Sequence, residues 1–152
     1  MSRISYGGTA AAVTSTALIS GLCAANATKP IIMSALLIAA LADNLTDALS
    51  IHVYQESERL DQKDARTAAL TNFAARLLLC LSFALLLRLF SLAHATEAAI
   101  IWGTALVAAL SYGMARERSV KPMPEILKHL LIASAAIIVS KAIGHWIGAA
   151  LH

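Results

Sequence analysis

Five apolar stretches, at residues 6–25, 31–54, 67–93, 98–115 and 125–151, follow one another along the chain, separated only by short polar or charged segments. A helix needs about 20 predominantly apolar residues to cross a hydrocarbon core of about 30 Å. Each stretch meets or approaches that length, and nothing between them is long enough to form a separate soluble domain. In lipid every backbone polar group must be satisfied within its own segment, which leaves the helix as the structure such stretches can adopt. The pattern therefore predicts an all-α polytopic membrane protein, a single transmembrane domain over residues 1–152 with five helices. Composition agrees: 59% of the 152 residues are hydrophobic and 14% charged, where a soluble domain carries about 25% charged residues.

Charge is distributed by side. With alternating crossings, Arg3, Arg59, Lys63, Arg66, Arg116, Arg118, Lys121 and Lys128 fall on one side, and the other side receives only Lys29. Basic residues accumulate in cytoplasmic loops, so the N-terminus is expected in the cytoplasm and the C-terminus outside. This placement also accounts for the net charge of +3 without an acidic partner. Aromatic residues make up 5% of the chain and form no stripe with basic ones, so no nucleic-acid binding is expected. Arg3 and Ala25-Asn26-Ala27 satisfy the minimal requirements of a cleaved signal peptide, but the first stretch is read as a retained helix. Cys23 and Cys80 lie in apolar stretches and read as small buried residues rather than a disulfide. With no targeting extension evident, a prokaryotic plasma (inner) membrane is the expected location.

The second stretch carries the residues with chemical potential. Asp43 and Asp47 are four apart and share a helix face. Ser50 and Tyr54 extend that face, while Asn44 and Thr46 flank it and His52 lies near its end. A carboxylate facing hydrocarbon is costly, so this face is expected to meet a cavity or a partner. Carboxylate, amide and hydroxyl oxygens suit hard or borderline divalent ions, and histidine is a metal ligand or proton acceptor. Asp43, Asn44, Asp47, Ser50 and His52 are the candidate metal ligands. The competing use is structural. Asp47 lies about seven residues inside the end of its helix and Arg76 about nine inside the next, depths that agree within a few ångström at 1.5 Å per residue. Asp47 or Asp43 with Arg76 then forms either an internal ion pair or part of a proton-coupling element. Asn72, one turn before Arg76, can join the same network.

Small residues in the first stretch, among them Gly7, Gly8, Thr14, Ser15, Thr16, Ser20 and Gly21, favour close helix packing, with hydroxyls lining a path as the alternative. The acidic residues Glu56, Glu58, Asp61 and Asp64 are interleaved with Arg59, Lys63 and Arg66 and read as a solvated face. Arg88 and Lys141 can snorkel to the interface. Thr96 is a candidate cap for the fourth helix, after a turn at residues 94–97. No nucleophile–base arrangement, phosphate-binding loop or Cys/His cluster is evident, so neither enzymatic activity nor a bound cofactor is expected.

Two motifs extend this reading. The first stretch ends in Ala17-Leu18-Ile19-Ser20-Gly21-Leu22-Cys23-Ala24-Ala25-Asn26-Ala27, and the second in Asp47-Ala48-Leu49-Ser50-Ile51-His52-Val53-Tyr54-Gln55-Glu56-Ser57-Glu58. In order and spacing these resemble the vacuolar iron transporter family. Leu130-Leu131-Ile132-Ala133 and Ile143-Gly144 are similar to the family's last helix. The resemblance implies a homodimer joined through the first two helices, exchanging divalent iron or manganese for protons along a path lined by Ser50 and the acidic face beside it. The chain departs from the family in three places. No acid occurs between Gly7 and Val13, Ile51 follows Ser50 where the family has Met, and the charged segment at residues 55–66 stands where the family has long cytoplasmic helices. The sequence thus leads to a divalent cation transporter using the carboxylates of the second helix. Its alternative is a non-transporting membrane subunit or scaffold, lying in the bilayer beside other membrane subunits, in which those carboxylates pair with Arg76.

Overall fold

The computed structural model describes residues 2–58 and 62–150, all arranged as helices and short turns. Five helices follow in order: α1 (Ser2–Ala24), α2 (Lys29–Glu58), α3 (Gln62–Leu89), α4 (Leu92–Glu117) and α5 (Pro122–Ala150). Each contains a segment long and apolar enough to cross a membrane. Large apolar side chains cover the outside of the bundle, including Ile38, Leu78, Ile101, Ile138 and Trp146. A soluble surface rarely carries so extensive an apolar area, which agrees with an integral membrane protein.

The turns explain where the helices stop. Asn26 sits at φ 60, a left-handed conformation that Asn tolerates better than most residues. The Asn26 N–H donates to Cys23 O and the Ala27 N–H to Leu22 O, the paired bonds that close a helix C-terminus around a left-handed residue. Ser119, at φ 55, repeats this at the end of α4 with bonds to Arg116 O and from Val120 N to Ala115 O. Pro30, Pro122 and Pro124 lie in the first turns of α2 and α5, where an N–H has no helical partner to lose.

Several boundaries differ from those the sequence suggests. α3 ends at Leu89 rather than 93, and α4 begins at Leu92 rather than 98. The turn therefore falls at Phe90 and Ser91, with Ser91 at the N-cap, a residue type suited to that position. Residues 94–97 have no helix-breaking member and join the helix. Thr96 is consequently no cap; its hydroxyl lies 3.1 Å from Leu92 O and 3.0 Å from Cys23 Sγ. α4 continues to Glu117, and α5 starts at Pro122 instead of 125. The charged segment 55–66 has no Gly or Pro, which leads the sequence reading to expect the second helix to continue into it, and it does: α2 runs to Glu58, and α3 starts at Gln62. Lys29 closes the opposite end by donating from Nζ to Phe90 O at 2.7 Å, just past the C-terminus of α3, where a cation meets the negative end of the helix dipole.

α1 is the axis of the bundle. Over its apolar segment 56% is buried, against 6% for α5 and 17% for α2. It packs most extensively on α5 and α4, then on α3, and least on α2. Its small residues make this central position possible. A methyl placed on Gly144 of α5 would overlap the Gly21 carbonyl, and one on Gly103 of α4 would overlap the Thr16 hydroxyl. The small residues of α1 are thus used largely inside the five-helix bundle. Ile19, Ile32, Leu36, Phe83, Leu87 and Ala99 form the larger apolar core, and Ala12, Val107 and Ala133 a smaller one.

Candidate membrane-embedded polar site

The polar side chains of α1, α2 and α3 meet near mid-length of these helices. On α3, Asn72, Arg76 and Cys80 recur every four residues and are all buried, so they form one stripe facing inward. On α2, Asp43 and Asp47 lie one turn apart on the face turned toward that stripe. Arg76 stands between them. Its Nη1 contacts Asp47 Oδ2 directly, and its Nη2 lies 3.8 Å from Asp43 Oδ2. Burial is unequal: the Arg76 side chain is 8% exposed, while those of Asp43 and Asp47 are 45% and 43% exposed. The guanidinium is enclosed by protein, and each carboxylate keeps an open side.

α1 supplies the floor. Gly7 faces Asn72 and Arg76, and a methyl there would overlap the Asn72 amide oxygen. The missing side chain therefore lets the α1 backbone approach the polar stripe of α3. One turn further on, Ala11, Thr14, Ser15 and Leu18 of α1 line a cavity of about 20 Å³ together with Asp43, Asn44, Arg76 and Cys80. That is room for about one water molecule.

Asn44 is the informative wall of this cavity. It is 2% exposed, and neither its amide nitrogen nor its amide oxygen has a hydrogen-bond partner among the described residues. Asn72 Oδ1 is likewise buried without a partner. An unpaired buried amide group costs about 1–3 kcal/mol, so such groups usually face an occupant of their cavity. The Cys80 thiol, by contrast, donates to Leu36 O at 3.5 Å and shares the wall as a small polar group.

Of the residues singled out in the sequence, the structure thus brings together Asp43, Asp47 and Arg76, with Asn44 against the same cavity. Ser50 is exposed and lies one turn beyond Asp47, outside the cavity lining. The side chains of His52 and Tyr54 lie outside the described residues, as do the side chains of the acidic residues between positions 56 and 64. Among the described residues no group of three or more His, Cys, Asp or Glu side chains is placed to hold a metal ion. Sequence reasoning read Cys80 as a small buried residue, and it is 2% exposed, but did not place it beside the polar site, for which its four-residue spacing from Arg76 was the available signal. It noted Thr14 and Ser15 only within a general stripe of hydroxyls.

Compared with family models, curated proteins and solved structures, the chain matches none.

Proposed function

We propose that the chain carries cations across the membrane, with Asp43 and Asp47 as the charged ligands and Arg76 as a resident counter-ion that an incoming cation displaces. The observation that carries this reading is the open side of both carboxylates beside a buried, unpartnered Asn44 amide. A purely structural ion pair tends to have its remaining hydrogen-bonding positions satisfied; here both carboxylates are partly exposed, and Asp43 lines the water-sized cavity together with Asn44.

Charge counting suggests how exchange works. With Arg76 in place, Asp43, Asp47 and Arg76 sum to one negative charge, which a single proton balances. A divalent ion in place of that proton would meet both carboxylates and the neutral Asn44 oxygen, and with the charge of Arg76 counted it leaves the site with one net positive charge, so exchange of one proton for one metal ion moves net charge. Oxygen donors of this kind suit manganese or ferrous iron. Proton and metal would then alternate at one site, the exchange implied by the resemblance to vacuolar iron transporters. The basic residues set the N-terminus in the cytoplasm, so the cytoplasmic mouth lies toward Ser50. The seam between α1 and α2 is the least packed around α1, which supports a second copy joining there.

The second reading is a non-transporting membrane subunit, and the direct Arg76–Asp47 contact favours it. Proteoliposomes loaded with a metal-sensitive dye separate the two. Manganese or ferrous flux with opposite proton movement is expected from the wild type, and loss of flux from Asp43→Asn and Asp47→Asn. Absence of flux for any tested ion in folded wild-type protein leaves the subunit reading.

A further inference from the structure

A second cavity lies where the start of α1, the end of α4 and the start of α5 come together. It has a volume of about 540 Å³, in the range of small-molecule sites. Its walls are apolar, formed by Val13, Met114 and Ile132, whereas Arg118, Lys128 and His129 stand on its polar side. Glu125 also lines it, 3.7 Å from Lys128. Counting these groups leaves one positive charge in excess with His129 neutral. His129 is fixed in place: the Ser111 hydroxyl donates to Val107 O at 2.6 Å, so its oxygen accepts from His129 Nδ1–H at 2.9 Å. Arg118 follows the last residue of α4, and Lys128, 64% exposed, lies in the second turn of α5, so both cations lie toward the same end of the bundle.

We infer that this cavity binds an anionic glycerophospholipid, its phosphate held by Arg118 and Lys128 and the upper part of an acyl chain lying on Val13, Met114 and Ile132. The combination selects the ligand. A soluble phosphate has no use for the apolar wall, and a zwitterionic lipid carries no net charge to match the excess cation. Basic pockets between membrane helices hold anionic headgroups in this way. The site does not involve Asp43, Asp47 or Arg76, so it stands or fails separately from cation transport.

The test uses the full chain in mixed micelles, with bound lipid counted by native mass spectrometry. Phosphatidylglycerol is expected to be retained in preference to phosphatidylcholine. Each basic residue near a membrane surface contributes about fivefold in affinity for anionic lipid, so Arg118→Gln with Lys128→Gln lowers phosphatidylglycerol retention about 25-fold. The charge-preserving pair Arg118→Lys and Lys128→Arg restores most of it, which separates loss of binding from loss of fold. Arg116→Gln with Lys121→Gln removes equal charge from the same end of the bundle outside the cavity lining, and retention is expected to persist. Equal retention of the two lipids overturns the inference, as does equal loss in both neutralised pairs. Glycerol phosphate competing as well as the intact lipid removes the acyl contact from it. A dimer that dissociates on neutralising Arg118 and Lys128, with no lipid bound, assigns the cavity to a second copy instead.

Discussion

Replacing Asp47 by Asn tests the central ion pair most directly. Arg76 is enclosed, with its side chain 8% exposed, and Asp47 is the carboxylate in direct contact with it. Removing one partner of a buried pair costs about 3–5 kcal/mol, because a charge is left without compensation. Two features reduce that cost here. Asp47 is itself 43% exposed, and Asp43 waits 3.8 Å from the other guanidinium nitrogen. At that separation, and at the effective dielectric of a protein surface, Asp43 still attracts Arg76 by about 4 kcal/mol before desolvation is counted. The expected net destabilisation for Asp47→Asn is therefore about 2 kcal/mol. Asp43→Asn leaves the direct contact intact and is expected to cost less than about 1 kcal/mol, as for a half-exposed pair. Combining Asp47→Asn with Arg76→Met removes the stranded charge, so the double variant is expected to be more stable than the sum of the single effects by about 2 kcal/mol. Reversible unfolding of the protein in mixed micelles by increasing dodecyl sulfate, followed by far-ultraviolet circular dichroism, gives all four corners of the cycle. Equal costs for the two aspartates, or additivity within about 0.5 kcal/mol, would refute this account of the site.

Two further outcomes concern packing and turns. Gly103→Ala is expected to destabilise by about 1–3 kcal/mol, because the new methyl overlaps a Thr16 hydroxyl that is already buried and bonded to Ala12 O; Gly113→Ala in the same helix, where no atom lies within 4 Å, is expected to be neutral or stabilising by up to about 1 kcal/mol, and thermal unfolding of the two variants side by side reads the difference. Ser119→Gly is expected to stabilise by about 1 kcal/mol, since Ser119 holds φ 55 at a helix C-terminus where glycine carries no Cβ penalty; a lower melting temperature in the same scan would count against the closure described for α4.

How far the sequence could be read depended on the kind of constraint involved. Apolar length is a one-dimensional property, and it specified five helices because the bilayer thickness is fixed. Helix periodicity is also local, so Asp43 and Asp47 could be placed on one face from their spacing. Boundaries were harder, and the turn between α3 and α4 shows why. His94, Ala95, Thr96 and Glu97 suit a turn or a helix, while Phe90-Ser91 carries a weaker signal than it deserves, so local chemistry left both positions open. Packing in three dimensions selected one.

The candidate site divides along the same line. Residue types and spacing determined that two carboxylates and an arginine would lie within the apolar zone, because charges there need partners. They could not determine that Arg76 is enclosed while the carboxylates stay open on one side, nor that Asn44 is buried against a cavity of one water's size. Those features arise from how closely α1 approaches α3 at Gly7 and how loosely it meets α2. Interhelical distance is set by the summed fit of side chains from several helices, and no single segment contains that information.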